Sequence, residues 1–340
     1  MKILLVEPNW IGDVIFTTPA VVAVLKRFPN ASVDCVLPRR CRDIFKYNPF
    51  VSEVIDFNEK DETSTLVAKV KFLSGLRARK YDTAILLHRS FTRTFLCSLA
   101  GIRRLAGYDY PKRSFLLTEK VPVVDKDSMH KQDYYLNILT ACGIPVENKE
   151  CRVYISGKER KNAVEIIGTD LSPGLTRVAI NPFTNWAPKN WPIEHYAEFI
   201  KTLKERFPRI IFYITSATFD QRINLLLNNN SAYVRDLSGK TTLLELAGLY
   251  EKMDLVVSGD SGPLHLAAAV NTPYLGIYGP TSPSLTGVRS SARGTILFRN
   301  SACRLPCYTQ SCAVNNSCMR DITPEEAVRA AINILNQKNT

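Results

Sequence analysis

Residues 253–283 read MDLVVSGDSGPLHLAAAVNTPYLGIYGPTSP, and this stretch decides the fold. A short apolar strand over 254–258 runs into the turn Gly259-Asp260-Ser261-Gly262, and a helix of small residues follows over 263–270. A second apolar strand over 274–278 ends in Gly279-Pro280-Thr281-Ser282-Pro283. Pro263 suits a first helical turn, where its missing N–H has no intrahelical partner to lose. The glycine-bracketed turn sets backbone N–H groups and the positive helix end where an anion can sit. Asp260 falls at the carboxyl end of a strand, the end at which open α/β sheets bind ligands. Ala267-Ala268-Ala269 let the helix lie close on its sheet. Taken alone, these residues also fit an ordinary, tightly packed βαβ connection.

Strands and helices alternate outward from this segment in both directions. In the first half, strands are expected over 2–7, 32–37, 54–57, 82–87 and 104–107. Helices are expected over 18–28, 41–48, 64–77, 93–100 and 129–142. In the second half, helices are expected over 158–167, 193–207, 220–227 and 243–252, and strands over 177–181, 210–215 and 233–236. Thr323 precedes Pro324-Glu325-Glu326 as the N-cap of a last helix reaching about residue 335. Such alternation implies two doubly wound parallel sheets, each covered by helices on both faces. Two such domains facing one another would leave a central cleft. The Pro- and Gly-bearing loop 168–174 is the expected connector. The chain then divides into 1–168, 169–322 and a terminal helix, 323–340.

Composition narrows the class. The chain has 340 residues, 45 % hydrophobic and 22 % charged, values typical of globular proteins. Residues 3–6 are apolar but Glu7 ends the run, so it reads as a strand and not as a signal peptide. No segment approaches the ~20 apolar residues of a membrane span, so a cytoplasmic location is expected. The net charge of +12 is uneven. Between residues 76 and 115, Arg77, Arg79, Lys80, Arg89, Arg93, Arg103, Arg104, Lys112 and Arg113 face only Asp82 and Asp109. Such a surface attracts anionic headgroups or phosphorylated substrates. Without any nucleic-acid module signature, DNA and RNA are not expected partners.

Two further motifs complete the reading: Glu7-Pro8-Asn9-Trp10-Ile11-Gly12-Asp13-Val14 with Thr17-Thr18-Pro19-Ala20, and Trp186-Ala187-Pro188-Lys189-Asn190-Trp191-Pro192 with His195-Tyr196-Ala197. With the 253–283 segment they resemble, in order and interval, the ADP-heptose:lipopolysaccharide heptosyltransferases, glycosyltransferase family 9, and most nearly the heptosyltransferase II branch. The resemblance implies a GT-B fold of two Rossmann-like domains, with the terminal helix 323–340 packing back across the first, and an ADP-heptose donor. It also implies a phosphorylated lipid A–inner-core acceptor, inverting transfer without a catalytic cofactor, and peripheral contact with the cytoplasmic face of the inner membrane. The same three motifs leave open a GT-B enzyme using another nucleotide sugar, or a non-catalytic binding protein on that scaffold.

Residue by residue, Asp13 reads locally as a helix-capping carboxylate. The resemblance makes it the general base that takes the acceptor proton. Asn9, Trp10 and Gly12 of that motif, with Arg89 and Arg93, are expected on the acceptor side. Lys189 is a point charge for the developing diphosphate. Thr184 and Asn185 can hydrogen-bond phosphate, although the relatives carry small residues and glycine where this chain has Asn181-Pro182-Phe183-Thr184-Asn185. Ser261 and Gly262 would offer backbone N–H groups, Asp260 would accept donor-sugar hydroxyls, and His265 would touch phosphate or sugar. Asp125-Lys126-Asp127 has the form of a metal-binding D-x-D motif, and Ser238-Gly239-Lys240-Thr241-Thr242 that of a P-loop end. The latter lacks the upstream glycine, since Val234 stands there. Cys303, Cys307, Cys312 and Cys318 lie within sixteen residues, close enough to hold a zinc ion or to form two disulfides; a cytoplasmic chain argues against the disulfides, and a structural loop is expected.

Overall fold

The computed structural model describes residues 1–57, 65–227, 230, 232–300, 303, 305–307, 309 and 312–337. The chain forms two compact units, Met1–Tyr154 and Ile155–Thr340. The first holds strands β1 (Lys2–Val6), β2 (Ser32–Leu37), β3 (Glu53–Asp56), β4 (Thr83–Leu86), β5 (Arg104–Tyr108) and β6 (Glu119–Val121). Its helices are α1 (Ile11–Arg27), α2 (Leu66–Arg79), α3 (Phe91–Leu99) and α4 (Lys131–Ala141). The second holds β7 (Thr176–Asn181), β8 (Ile210–Ile214), β9 (Val234–Asp236), β10 (Leu255–Gly259), β11 (Tyr274–Tyr278) and β12 (Gly294–Phe298). Its helices are α5 (Gly157–Ile167), α6 (Ile193–Arg206), α7 (Asn224–Leu227), α8 (Leu243–Tyr250), α9 (Gly262–Ala269), α10 (Pro283–Thr286), α11 (Ser317–Arg320) and α12 (Pro324–Asn336).

Every strand pairing is parallel, and each sheet has six strands, ordered β3-β2-β1-β4-β5-β6 and β12-β11-β10-β7-β8-β9. Counted within its own unit, the second order is the first read backwards, so each sheet has the doubly wound 3-2-1-4-5-6 arrangement. The order reverses at the β1/β4 pair in one sheet and at β7/β10 in the other, and at such points strand-to-helix loops diverge and leave a crevice. Central strands β1, β4, β10 and β11 are buried along nearly their whole length, as parallel strands covered on both faces must be.

Four sequence expectations are corrected. Helix α1 begins at Ile11, seven residues before the expected start, and runs through Pro19. Proline removes the bond that residue 19 would give the Ile15 carbonyl, but the Thr18 hydroxyl donates to that oxygen at 2.8 Å, so the helix continues. The expected boundary at 168 moves to 154/155, because α5 packs on α8 of the second unit. Helix α12, which the resemblance implies packs back across the first domain, has Ala327, Ala331 and Ile334 buried in the core of the second with Tyr196, Phe199 and Leu203 of α6. The edge strands β6 and β12 had no expected counterpart. Helix α2 was expected from Ser64, which lies outside the described residues.

The α5–α8 contact depends on Gly248. A Cβ there would sit 2.9 Å from the Glu159 carbonyl oxygen and 3.4 Å from the Ala163 Cβ. Overpacking of about 1–3 kcal/mol outweighs alanine's helix advantage of about 1 kcal/mol. Gly248→Ala is therefore expected to lower the denaturant midpoint, and an unchanged midpoint would show that α5 shifts freely.

Candidate functional site

Each unit carries a polar cluster at its own switch point. In the first, the chain leaving β1 passes Glu7, Pro8, Asn9 and Trp10 before α1 begins. The Asn9 loop is clamped from three directions. Its backbone oxygen accepts from Arg40 Nε and Nη2 at 3.0 and 2.9 Å, its side-chain oxygen accepts from Arg93 Nη2 at 2.7 Å, and its amide nitrogen lies 2.9 Å from His88 Nε2. Arg113 Nη1 donates to the His88 carbonyl oxygen at 2.6 Å, fixing the loop after β4. Between the two loops opens a pocket of about 170 Å³ whose walls include Asn9, Trp10, Asp13, His88, Arg89 and Tyr135.

Asp13 is the third residue of α1 and lies in its first turn, where a carboxylate faces the positive helix end. Tyr135 of α4 hydrogen-bonds to it, which together with burial and the negative charge of Asp13 pushes the tyrosine pKa well up. Lys131, one turn earlier on α4, interacts with Asp13 electrostatically. With Lys126 it brings two cations to the pocket wall.

Glu7, beneath the loop, is fully buried, with Thr17 Oγ1 donating to its carboxyl at 2.5 Å. Burial pushes this carboxyl up to about 8, while the Thr17 hydroxyl and the Arg93 charge pull against it. From the ordinary value of 4.5 up to about 8, the folded chain holds a proton that the unfolded chain has lost. Stability is thus full below that window and falls as pH rises through it, by up to about 1.4 kcal/mol per pH unit. Glu7→Gln is expected to flatten this slope. Urea unfolding on either side of the window measures it, and equal slopes in both proteins would remove Glu7 as the cause.

In the second unit, β10 ends at Gly259 and the loop following β7 lies across that end. A Cβ on Gly259 would come 3.0 Å from the Lys189 carbonyl oxygen and 3.3 Å from Thr184 Cγ2, so glycine is what permits the two loops to touch. The 184–190 turn is self-braced: Asn190 Oδ1 accepts from the Thr184 backbone N at 2.8 Å and its hydroxyl at 3.0 Å. Trp191 is buried and donates to the Ile322 carbonyl oxygen at 2.9 Å. The result places Lys189 Nζ 2.6 Å from Asp260 Oδ2. The same oxygen accepts from Thr281 at 2.6 Å and Thr286 at 3.1 Å, and His265 Nε2 lies 3.6 Å from the other. Burial works to raise the Asp260 carboxyl, but the His265 hydrogen bond and the Lys189 charge outweigh it and hold it below the usual carboxylate range. The N-terminus of α9 begins two residues on, at Gly262, with Ser261 as its N-cap.

These two switch-point clusters, a carboxylate with lysines on one unit and a carboxylate-held lysine on the other, fit group transfer from an anionic donor. Comparison with known proteins agrees. Residues 69–317, well over half the chain, match glycosyltransferase family 9 (heptosyltransferase). The chain belongs to this family. It is 28 % identical over 298 residues to lipopolysaccharide heptosyltransferase 2 of Escherichia coli K12, covering 84 % of this chain and 85 % of that one. To lipooligosaccharide heptosyltransferase 2 of Haemophilus ducreyi it is 26 % identical, with the same coverage. The solved ADP-heptose heptosyltransferase II of E. coli superposes with a TM-score of 0.82 at 26 % identity, covering all of both chains. A family 9 structure from Veillonella parvula gives 0.85 at 20 % identity, over 99 % and 97 % of the two chains. The fold is therefore GT-B, and the protein is a glycosyltransferase.

Against this family 9 framework, the expected site residues sort by burial. Asn9, Trp10, Gly12, Asp13 and Arg89 cluster at the first unit's pocket or in the turn beside it, with Arg89 bound to Tyr110. Arg93 does not face the pocket as an open acceptor ligand. It is fully buried, and its guanidinium holds the Glu7, Asn9 and Phe57 oxygens, so it supports the loop. Thr184, Lys189, Asp260, Ser261, Gly262 and His265 come together in the second unit, whereas Asn185 is exposed. His265 is buried against Asp260.

The sequence reading missed Tyr135, Lys131, Lys126, His88, Arg40, Thr281 and Thr286. Thr281 lay in the quoted Gly-Pro-Thr-Ser-Pro loop, and Lys126 inside the supposed D-x-D, whose Asp127 pairs with Lys126 at 2.7 Å and Lys131 at 3.6 Å. Lys240 of the P-loop-like run donates to the Asp236 carbonyl oxygen at 2.7 Å. Of the four clustered cysteines, Cys303 is exposed and Cys318 buried, and all four are free thiols. Among the described residues no three His, Cys, Asp or Glu side chains are grouped to hold a metal ion, and no helix is long and apolar enough to cross a membrane.

Proposed function

We propose that this family 9 enzyme moves L-glycero-D-manno-heptose from ADP-heptose to the inner core of lipopolysaccharide, with inversion at the anomeric carbon. Its relatives are heptosyltransferases of lipopolysaccharide and lipooligosaccharide, and the E. coli relative of known structure is named for ADP-heptose. The observation that carries the reading is the pairing of chemistries: Asp13 at one switch point and Lys189, held by Asp260, at the other.

In a single displacement the acceptor hydroxyl attacks the anomeric carbon as its bond to the diphosphate breaks. Asp13 takes the hydroxyl proton as the new bond forms. Lys189 and the N-terminus of α9 meet the charge that develops on the departing ADP, so the reading assigns no step to a metal or other cofactor. Asp260 is then an anchor that aims Lys189, because Lys189, Thr281 and Thr286 already occupy its inner oxygen. Lys126 and Lys131 suit a phosphorylated acceptor.

The test is to incubate the enzyme with ADP-heptose and truncated core acceptors and weigh the products, which should gain one heptose. A thermal-shift comparison separates this from transfer with another nucleotide sugar. At a hundredfold excess over its dissociation constant ADP should add about 2.7 kcal/mol of stability, and UDP far less. Stabilisation by UDP alone would overturn the donor assignment.

A further inference from the structure

At the wall of the first unit's pocket, donors and acceptors do not balance. The Ser90 backbone N donates to His88 Nδ1 at 3.0 Å. A backbone N–H can only donate, so Nδ1 keeps its lone pair and the neutral ring carries its proton on Nε2. A second ring proton would meet the Ser90 N–H, so the ring stays neutral. From the other side, Arg93 Nη2 donates to Asn9 Oδ1 at 2.7 Å. A guanidinium has no acceptor, so the Asn9 amide nitrogen must face the histidine. It lies 2.9 Å from His88 Nε2. Two N–H groups therefore meet where a hydrogen bond would need one donor and one acceptor.

Turning either group over only moves the mismatch. A flipped amide would set its nitrogen against Arg93, and a flipped ring would set a carbon against Ser90. The surroundings hold both groups in place. The Asn9 backbone oxygen accepts from Arg40 Nε and Nη2, the His88 backbone oxygen accepts from Arg113 Nη1 at 2.6 Å, and Arg93 is fully buried. A polar mismatch held this firmly at a pocket wall is relieved by an acceptor that enters the pocket. One oxygen placed beside the two nitrogens can accept from both. The wall also sets the charge of that oxygen: Arg89, Lys126 and Lys131 line it and outnumber Asp13 there, with Asp127 paired to the two lysines. An ionised oxygen accepts roughly twice as strongly as a neutral one.

We propose that His88 is a ligand-binding residue: its Nε2–H, side by side with the Asn9 amide, takes an anionic oxygen, carboxylate or phosphate, of the molecule that fills this pocket. The site stands on the hydrogen-bond count, and only the statement that this molecule is the acceptor rests on the transferase reading. The experiment is nitrogen NMR of the full chain with isotope-labelled histidine, with neither sugar donor nor acceptor present. The His88 ring is assigned by its loss in His88→Gln. Its nitrogens should report the Nε2–H form, and inorganic phosphate or acetate should shift Nε2 while neutral glycerol does not. The anion with the stronger effect names the group. By calorimetry, His88→Leu should weaken anion binding about tenfold or more, the worth of a hydrogen bond to a charged group. His88→Gln, whose amide nitrogen can stand where Nε2 stands, should bind within a few-fold of the unmodified protein. An Nδ1–H ring in the unmodified protein, or an Nε2 resonance that neither anion moves, would overturn the proposal whatever the stability of the variants. So would equal anion affinity in a His88→Leu protein with an unchanged melting temperature. Heptose transfer by a protein whose ring ignores both anions would sink this assignment alone, and anion binding without heptose transfer would leave it standing.

Discussion

Asp13→Asn is expected to lower kcat by roughly 10²–10⁴-fold, the span that a positioned general base contributes, while the thermal shift produced by ADP stays unchanged. The reasoning is local. Asp13 and its partners Tyr135 and Lys131 all belong to the first unit, whereas the diphosphate-side lysine belongs to the second. Asparagine keeps the shape and can still accept from the Tyr135 hydroxyl, so folding should survive apart from the loss of a first-turn charge of about 0.3–1 kcal/mol. A variant that retains most of its kcat would remove Asp13 from the role of base. Tyr135→Phe gives a graded companion. Its hydroxyl favours the ionised carboxylate, so its loss should move the acidic limb of kcat/KM to higher pH. A purely structural tyrosine would leave the limb in place.

The second large effect concerns the Lys189–Asp260 pair, and its two halves should fail differently. Lys189→Ala removes the cation that meets the leaving group. The loss of one such electrostatic stabiliser lowers kcat by roughly 10²–10³-fold, and the ADP thermal shift should shrink with it. Asp260 retains Thr281, Thr286 and His265 as partners, so the fold should hold. Asp260→Asn leaves Lys189 without its carboxylate in a largely buried setting and turns amide hydrogens towards existing donors. A cost of about 3–5 kcal/mol is expected, measured by denaturant unfolding, together with lost transfer. The Asp260 carboxyl is held below its usual range. Its contribution to stability is therefore present at neutral pH and is lost as pH falls through that lowered value, so Asp260→Asn should flatten acid denaturation. Equal unfolding curves for the two variants would separate Lys189 from Asp260 and end the anchoring argument.

The elements most legible in the sequence were those fixed by short-range chemistry. Strand β11 occupies the expected residues, and Thr323 caps α12 with Glu326 returning the bond to complete a capping box. The Gly259–Gly262 turn and the small-residue helix after it also lie where the spacing put them, because apolar periodicity and cap residues act within a few positions of themselves. Strand β6 escaped notice because it spans only three residues, and β12 is, like β6, an edge strand that pairs on one side only. Helix α1 was expected to begin late because Pro19 reads locally as a first-turn residue. Its compensation is the hydroxyl of Thr18, and geometry alone reveals that bond.

The site divides along the same line. From residue order alone came the alternating doubly wound architecture, the family, and the choice of Asp13, Lys189 and Asp260 as candidates, because each sits in a motif that follows a strand. Tertiary structure alone decided what those residues touch. It buried Arg93 beneath the Asn9 loop, set Tyr135 on Asp13 from 122 positions away, and drew Thr281 and Thr286 onto Asp260. It also carried α5 and α12 into the second unit. Each of these depends on contacts between segments distant along the chain, where packing and the desolvation of charge choose the partner, and neither leaves a periodic trace in the sequence.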